Sequence, residues 1–341
     1  MRRELICTAP ACPPPLRVRE VGMPVPGRGD VLVRVSATSI NPIDFKRAGG
    51  YGQRLLKLKG AGRFPLVLGN DFAGHVEALG ADVTDFAVGQ PVFGLVGTGK
   101  QGGAHASHLV VPQAQLLHAA PGAEAAALAV LPYSFTTMWL ALRGAGLTPA
   151  TAAGKRVLVH GAAGALGRLA LATLSAWGHE ITALCAIGTS DACRALGAQE
   201  TVERSASAIG SLPAGFDAVL NFAHWDDDLA LASRLNAHAL GHATTVHPLL
   251  GNFDRLGWVR GALTSQRDFA AVRSAVRRNA PGARYAWTIF KPDREALEAL
   301  AAGLGPNRLA LPIGLRVPLE QADAAFAHAT AGAPGRAVLL P

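Results

Sequence analysis

The chain has 341 residues, more than a single hydrophobic core usually holds, so about two domains are expected. Half of the residues are hydrophobic and 16% are charged, which excludes a disordered chain and indicates a globular protein. The formal net charge of +8 comes mostly from scattered arginines.

The N-terminal residues match neither a signal peptide nor a membrane anchor. Met1-Arg2-Arg3 is followed by no apolar stretch of sufficient length, because prolines interrupt it at Pro10 and at 13–15. No run of about 18 apolar residues that could cross a membrane is evident. The sequence therefore predicts a cytoplasmic protein without a membrane span.

The cysteines occur in two separated pairs, Cys7 with Cys12 and Cys185 with Cys193. Neither pair matches a disulfide framework or a zinc ribbon, and no histidine follows at a zinc-finger distance. We interpret these residues as ordinary apolar thiols.

Short β-rich runs follow one another over roughly the first 125 residues. They lie at 30–35, 66–68, 75–78, 91–95 and 108–111, and glycine, proline or aspartate separates each from the next. Many short strands with this punctuation predict an antiparallel, barrel-like domain. After Ala123, helical and β-rich segments alternate, which predicts a parallel sheet wrapped by helices.

A glycine-rich turn between a strand and a helix is the strongest single signal. Residues 155–178 are KRVLVHGAAGALGRLALATLSAWG, with a predicted strand over Arg156–His160 and a predicted helix over 166–177. Gly161, Gly164 and Gly167 have the spacing that permits a sharp reversal, close approach of a pyrophosphate and tight packing of helix on strand. The pyrophosphate would meet free backbone N–H groups and the positive end of the helix dipole. A β-to-α turn with a purely structural role is the alternative.

The second strand of this region is predicted over Glu180–Cys185 and is followed by AIGTS. No acidic residue stands at its end to bind the 2′-hydroxyl of NAD, so no carboxylate is expected there to repel the 2′-phosphate of NADP. Thr189 and Ser190, with Arg194 and Arg204 nearby, could receive that phosphate, although a solvated loop would have the same residues. Further strands are predicted over 218–221 and 243–246.

An arginine-rich stretch extends from Arg255 to Arg284. A solvated basic surface and a polyanion site both fit this composition. The stretch lacks the interleaved aromatic residues of a stacking platform, so a nucleic-acid partner is not favoured.

Four segments, together with the glycine turn, resemble the zinc-free quinone oxidoreductases of the medium-chain dehydrogenase/reductase superfamily. They are SINPIDFKRAGGYG at 39–52, FPLVLGNDFAGHVEALG at 64–80, KQGGAHASHLVV at 100–111 and PYSFTTMWLAL at 132–142. GNFDRLGWVRGAL at 251–263 and YAWTIF at 285–290 are similar to a narrower branch, the reticulon-interacting mitochondrial NADPH oxidoreductases. The resemblance runs in order along nearly the whole chain.

The resemblance implies an α/β plus β fold, in which a GroES-like barrel catalytic domain is interrupted by a Rossmann domain with a doubly wound parallel sheet. Residues 1–125 and 286–341 would form the catalytic domain, and residues 126–285 the NADP-binding domain. NADPH would lie in the cleft between them, and a homodimer is expected.

The same alignment predicts that no metal is bound. Zinc-dependent relatives have a cysteine at the position of Asn41, a Gly-His-Glu at the position of Gly69-Asn70-Asp71, and a four-cysteine lobe. His75 and Glu77 mimic this motif, but they lie too far along the chain and are expected to alternate on a strand as structural residues. Hydride transfer would then proceed without zinc polarising the substrate.

The family pattern also implies roles for single residues, each with ordinary packing as the alternative. Asn41 would lie beside the nicotinamide, Thr137 near the cofactor phosphate or ribose, and Ala186 and Arg204 at the adenosine. Backbone groups of the glycine turn would bind the pyrophosphate, at Gly161, Ala162, Ala163, Gly164, Ala165, Leu166 and Gly167. The residues expected near the nicotinamide or over the cleft are Phe222, Val246, His247, Pro248, Thr288, Ile289 and Phe290.

Two positions depart from the family pattern. The family often has two glycines after the strand that ends at Asn221, where this chain has Phe222-Ala223-His224-Trp225, so the floor of the nicotinamide site could be altered. Arg204 stands where the narrower branch has an aromatic residue that can stack on adenine.

Reduction of a quinone or another α,β-unsaturated carbonyl compound by NADPH is the function that the resemblance implies. Without a metal, the site has to position the nicotinamide against an electron-poor acceptor, while solvent or a side chain supplies any proton. Tyr51 is the candidate donor or substrate contact, because related enoyl reductases use a tyrosine close to that position, and a cover for the cleft mouth is its alternative role. The alternative functions are an enoyl-thioester reductase and, in another class, an NADPH-binding protein with an RNA-binding or regulatory role.

Overall fold

The structure is a computed structural model that describes residues 1–97, 103–205, 208–304 and 309–341. The chain divides into two compact units, one formed by Met1–Tyr133 with Lys291–Pro341 and the other by Ser134–Phe290. The expected domain boundaries near residues 125 and 285 stay a prediction. The first three residues of the segment at 100–111 lie outside the described ranges.

The strands are β1 Arg2–Cys7, β2 Leu16–Val21, β3 Asp30–Ser39, β4 Leu66–Val67, β5 Asp71–Leu79, β6 Pro91–Leu95, β7 His108–Pro112, β8 Leu116–His118, β9 Arg156–His160, β10 Glu180–Cys185, β11 Glu200–Glu203, β12 Ala218–Asn221, β13 Gly241–Thr244, β14 Arg284–Trp287, β15 Ile313–Pro318 and β16 Arg336–Leu340. The α-helices are α1 Pro42–Ala48, α2 Gln53–Leu58, α3 Ala125–Leu128, α4 Pro132–Gly144, α5 Ala165–Ala176, α6 Ser190–Ala195, α7 Ala208–Ser211, α8 Asp228–Ala232, α9 Leu249–Asn279, α10 Arg294–Gly303 and α11 Ala322–Thr330.

The first unit contains two sheets of mainly antiparallel strands. β1 pairs with β2 and β4, and the larger sheet has the strand order β15-β16-β3-β5-β6-β8, with β7 paired to β3. Val31, Val33 and Val35 alternate along β3 and are buried in the core. Strands are observed at all the predicted short runs, but two are several residues longer than predicted. β3 extends to Ser39 and β5 begins at Asp71, because β3 pairs with β5 and β16 over these residues.

The second unit is a six-stranded parallel sheet with the strand order β11-β10-β9-β12-β13-β14. The order runs outward from β9 in both directions, which is the doubly wound arrangement that the sequence predicts. The reversal falls between β9 and β12, and ligands of such sheets bind at the carboxyl ends of the strands at this point. The arginine-rich stretch lies mostly on α9.

The bounds of β13 differ from the prediction. β9, β10 and β12 have the predicted bounds, whereas the strand predicted over 243–246 is observed at Gly241–Thr244. Gly241 lies opposite both Ala218 and Arg284, and a Cβ on it would lie 2.7 Å from the Arg284 carbonyl oxygen. Close packing against β14 therefore selects a glycine that local strand propensity disfavours. The sequence analysis did not predict β11 and β14.

The segment Ala125–Gly144 is long and apolar enough to cross a membrane by length and composition alone. Its 20 residues have a mean hydropathy of 1.5, and 72% of the window is buried inside the protein. Burial of this extent is typical of a core helix. Within the described ranges, it is the one helical segment whose length and composition alone would allow a membrane span.

Candidate functional site

The glycine turn lies at the carboxyl end of β9, where the sheet reverses its strand order. Gly161 has a φ of 79°, a left-handed conformation that favours glycine. A Cβ on Gly167 would lie 2.3 Å from the Gly161 carbonyl oxygen and 2.5 Å from Ala162 Cα. The missing side chain is therefore what lets α5 pack so closely on the turn, as the sequence predicts.

The N-terminus of α5 presents backbone donors at this turn. Gly164 is its N-cap residue and has no side chain that could cap the first N–H groups of the helix. Free N–H groups and the positive end of a helix dipole together bind phosphate oxygens. The turn that begins at Gly161 and the start of α5 therefore form a cradle that fits a pyrophosphate.

The loop after β10 holds a carboxylate that the sequence analysis did not expect. Glu203, the last residue of β11, accepts hydrogen bonds from the Gly188 backbone N–H at 2.8 Å and from the Ser190 hydroxyl at 3.2 Å. Parallel pairing places Glu203 opposite Cys185, so both strands end at this loop. The expectation of a loop without a carboxylate is wrong, because the acid comes from the neighbouring strand.

The remaining residues assigned to the adenosine end have partners of their own. The Thr189 hydroxyl donates to the Ala186 carbonyl oxygen at 2.7 Å. Arg194 pairs with an aspartate one turn earlier in α6 at 2.9 Å, and Arg204 lies 3.4 Å from Asp227. The structure thus gathers these residues around one loop but directs both guanidinium groups toward carboxylates.

His160 ends β9 directly before the glycine turn and is buried. Its Nε2 lies 2.8 Å from Asp227 Oδ2, the oxygen that also faces Arg204. Burial lowers the pKa of His160, although the hydrogen bond with Asp227 acts in the opposite direction. Asp227 therefore joins the end of β9 to the residue after β11.

The bulky residues after β12 are held within the second unit. Asn221 Nδ2 donates to a backbone carbonyl three residues later at 2.7 Å, and its Oδ1 accepts from the Ala223 N–H at 3.1 Å. The Phe222 N–H donates to the last carbonyl of β9 at 3.0 Å. Trp225 packs against the apolar core and against Trp287, with ring centroids 5.6 Å apart. Trp225, one of the residues that follow β12 where the family often has two glycines, therefore contributes to the core.

The loop after β13 contains three predicted site residues, Val246, His247 and Pro248. The His247 ring stacks on Trp287, with centroids 4.9 Å apart and planes at 8°, and its Nε2 lies 3.1 Å from the Thr288 carbonyl oxygen. Burial lowers the pKa of His247. The Thr288 N–H donates to β13 at 2.8 Å, so Thr288 is tied to the sheet, and the expected lid at 288–290 stays a prediction.

A buried hydrogen-bonded cluster links β12, β13 and β14. Asp228 Oδ1 accepts from Asn221 and lies 2.8 Å from His242 Nε2, and its Oδ2 accepts from the Tyr285 hydroxyl at 2.7 Å. Trp287 Nε1 donates to the Tyr285 oxygen at 2.8 Å. Burial acts to raise the pKa of Asp228, but His242 and the hydrogen bonds lower it below its usual value. The cluster fixes the indole on which His247 stacks.

In the first unit, Asn41 and Asp71 form a buried hydrogen-bonded pair. Asn41 Nδ2 donates to Asp71 Oδ2 at 2.7 Å, and the Ser39 hydroxyl donates to the same oxygen at 2.9 Å. The Tyr133 backbone N–H donates to Asp71 Oδ1. Burial raises the pKa of Asp71 to about 6, although these donors and the Arg336 charge act in the opposite direction. The first unit therefore contains a buried carboxyl whose pKa lies well above that of a solvated aspartate.

The side chains at the positions of the zinc ligands are used in hydrogen bonds within this unit. Asn41 and Asp71 bond to each other, and Asn70 Nδ2 donates to the Val96 carbonyl oxygen at 2.9 Å. Asp44 in α1 also accepts from the Asn41 backbone N–H at 2.8 Å. The three side chains at the positions of the zinc ligands are thus hydrogen-bonded within the unit: Asn41 and Asp71 at the start of α1, and Asn70 to the residue after β6.

In the part of the chain that the structure covers, no three His, Cys, Asp or Glu side chains come together as a metal site. His75 and Glu77 both lie on β5, and Glu77 pairs with Arg34 at 3.3 Å. The cysteines are free, and all are buried except Cys12. The absence of a bound metal stays a prediction.

Tyr51 lies in the turn after α1, whereas Asn41 precedes the same helix. The Tyr51 N–H donates to the Lys46 carbonyl oxygen at 2.9 Å, and Lys46 Nζ lies 5.7 Å from the ring centroid. A helix of this length separates its two ends by roughly 10 Å. The two candidate catalytic residues therefore lie at opposite ends of α1. Thr137 is buried in α4.

Sequence reasoning missed Asp71, Glu203 and Asp228 as parts of these arrangements. The signal for Asp71 was its place in the aligned metal motif, and the signal for Glu203 was an acid that ends a β-rich tetrapeptide, ETVE. Asp228 lies in a run of three aspartates, which looks like a solvated turn in the sequence.

The amino-acid sequence is similar to one domain family and to several known proteins. Residues 27–121 match the model of the alcohol dehydrogenase GroES-like domain. The chain is 31% identical over 325 residues to "NAD(P)H oxidoreductase RTN4IP1, mitochondrial" of Bos taurus, covering 91% of this chain and 81% of that protein. It is 30% identical over 303 residues to "Reticulon-4-interacting protein 1, mitochondrial" of Caenorhabditis elegans, covering 84% and 81%.

Solved structures share the fold along the whole chain. A quinone oxidoreductase from Coxiella burnetii superposes with a TM-score of 0.80 at 21% identity and covers 100% of both chains. The CurK enoyl reductase superposes with a TM-score of 0.77 at 21% identity and covers 99% of both chains. These matches confirm the predicted fold class.

Proposed function

Since the chain belongs to the quinone oxidoreductase branch of the medium-chain dehydrogenase/reductase superfamily and is an oxidoreductase, we propose that it uses NADPH to reduce quinones or related α,β-unsaturated carbonyl compounds without zinc. The observation that carries the proposal is the glycine turn at the carboxyl end of β9, where the missing Cβ of Gly167 lets the start of α5 pack directly against Gly161 and Ala162. The name NAD(P)H oxidoreductase of relatives that match most of the chain supports the cofactor.

Each part of the cofactor has candidate residues in this chain. Backbone N–H groups at the start of α5 would bind the pyrophosphate, and the loop after β10 would contact the adenosine ribose. The stack of His247 on Trp287 holds the loop after β13, which would contact the nicotinamide. When bound, the nicotinamide supplies a hydride to the acceptor.

Asn41 is the residue of the first unit that we assign to the nicotinamide. Asn41 Nδ2 donates a hydrogen bond to Asp71, so the NH₂ group of the amide faces the carboxylate. The orientation of the Asn41 side chain is therefore set before any ligand binds. Preorganisation of this kind lowers the cost of binding, because fewer rotamers have to be frozen. Asp71 therefore acts through Asn41, as a positioning residue.

Zinc independence is supported by the chemistry of the residues at the ligand positions. An asparagine replaces the cysteine, and its amide does not deprotonate to a metal-binding anion. Asp71 already accepts three hydrogen bonds. A quinone suits a site without a metal, because its reduction needs no strong Lewis acid and no specially placed proton donor.

An enoyl-thioester reductase is the second candidate, and Tyr51 is the residue that separates the two. Reduction of an enoyl thioester needs a proton on carbon, which a placed hydroxyl can supply, whereas a reduced quinone takes its protons from solvent. We expect Tyr51→Phe to slow enoyl reduction by about 100-fold if Tyr51 is that donor, and quinone reduction by less than about twofold.

The experiment is a substrate screen with NADPH and NADH, on wild type, Y51F and Lys46→Gln. The last variant removes the cation near the Tyr51 ring but keeps the hydroxyl, so it serves as the control. Equal losses on quinone and enoyl substrates in Y51F would limit Tyr51 to a role in shape. Turnover of neither class by the wild type would contradict the proposed function.

The compartment and the oligomeric state also stay proposals. The names of the relatives contain the word mitochondrial, which describes those proteins, whereas we expect this chain to be cytoplasmic. Light scattering on the purified protein tests the expected homodimer.

A further inference from the structure

We propose that Glu203 is a cofactor-selectivity residue, because its carboxylate, which accepts hydrogen bonds from two donors of the loop after β10, places a negative charge where the 2′-phosphate of NADPH would bind. These donors are the Gly188 backbone N–H and the Ser190 hydroxyl. The inference rests on the proposed function, because it requires that the second unit binds the adenosine end of a nicotinamide cofactor.

Strand order brings Glu203 to this loop. β10 and β11 are parallel neighbours, and their last residues, Cys185 and Glu203, lie opposite each other. A single oxygen, Oε1, accepts both hydrogen bonds, at 2.8 Å from Gly188 and 3.2 Å from Ser190. Glu203 is exposed, so a ligand in the loop would meet its charge directly.

The chemistry at this place in a doubly wound sheet is cofactor discrimination. An acid after the second strand accepts hydrogen bonds from the ribose hydroxyls of NADH, and its charge repels the 2′-phosphate of NADPH. Here β11 supplies the acid that the end of β10 lacks. Arg194 and Arg204 form ion pairs with Asp191 and Asp227, so each already has a carboxylate partner other than Glu203. Glu203 therefore weakens NADPH binding more than NADH binding and narrows the preference for NADPH.

Glu203→Gln separates the charge from the hydrogen bonds. The amide oxygen of glutamine can still accept from Gly188 and Ser190, so the loop keeps its conformation while the negative charge is lost. We expect the Kd for NADPH to fall by about tenfold and the Kd for NADH to change by less than about twofold, as removal of one like charge near a phosphate predicts.

Glu200→Gln is the matched control. Glu200 begins the same strand, accepts from the Thr182 hydroxyl at 3.1 Å and lies away from the loop. This variant changes the net charge by the same amount as E203Q. Its ratio of NADH to NADPH dissociation constants should stay within about twofold of the wild-type ratio, because only a charge close to the phosphate discriminates.

The test is calorimetric titration of wild type, E203Q and E200Q with NADPH and NADH, at low and high salt, with unfolding curves to confirm that all three are folded. The gain of E203Q for NADPH should shrink at high salt, because the Debye length falls from about 10 Å at 0.1 M to about 3 Å at 1 M. An E203Q ratio equal to that of E200Q, or a gain that salt does not change, would overturn the role of Glu203. Failure of all three proteins to bind either cofactor would contradict the proposed function itself, and the inference with it.

Discussion

At the scale of single residues, burial changes the chemistry of Asp71. Desolvation raises its pKa from 3.8 to about 6, and the donated hydrogen bonds only partly offset that effect. Between these two values, the folded state binds the proton more tightly than the unfolded state does. The Asp71 contribution to stability is therefore fully present below pH 3.8 and is lost as the pH rises through 6.

The side chain at position 71 of the Asp71→Asn variant stays uncharged. The free energy of unfolding of this variant, relative to that of the wild type, should therefore increase as the pH rises from 3.8 to about 6. A difference of about two pKa units corresponds to about 3 kcal/mol in the free energy of unfolding. Urea unfolding of both proteins between pH 4 and 7 measures this difference. Asp85→Asn, which changes an exposed carboxylate of the same unit, is the control and should show no such trend. A D71N difference that is constant with pH would show that the carboxyl titrates normally.

At the scale of elements, the junction of β9 and α5 depends on Gly167. A Cβ there would lie 2.3 Å from the Gly161 carbonyl oxygen, so Gly167→Ala has to move the turn away from the helix. We expect NADPH binding to weaken by at least about tenfold and the free energy of unfolding to fall by about 1 to 3 kcal/mol, the usual cost of overpacking. Calorimetry and urea unfolding measure the two effects.

Gly210→Ala is the control for that substitution. A Cβ on Gly210 would meet nothing within 4 Å, and the residue lies in α7 of the same unit. G210A should bind NADPH as the wild type does and be as stable, because alanine favours a helix. Unchanged NADPH affinity in G167A would show that the glycine turn is not part of the cofactor site.

The same elements show what sequence could predict. β9, β10, β12 and the glycine turn follow from local apolar runs and glycine spacing, which need no knowledge of neighbours. The role of Glu203 depends on which strand lies beside β10, and the bond between Asn41 and Asp71 joins residues 30 positions apart. β13 is shifted because its pairing with β14 decides its bounds. Contacts set by the tertiary fold were therefore missed, whereas patterns within one element were found.

At the scale of the whole molecule, relatives that match most of the chain show an oxidoreductase, and our central proposal is that it reduces quinones with NADPH and needs no metal. The hydrogen bonds of Asn41, Asn70 and Asp71 support that claim from the first unit, and the glycine turn supports the cofactor from the second.

The most direct measurement is NADPH-driven quinone reduction by protein dialysed against a chelator, with the metal content determined on the same sample. We expect a rate within about twofold of the untreated enzyme and far less than about one metal ion per chain, because the ligand positions hold hydrogen-bonded side chains. About one zinc ion per chain in the untreated protein, with turnover that chelation abolishes and added zinc restores, would contradict the claim.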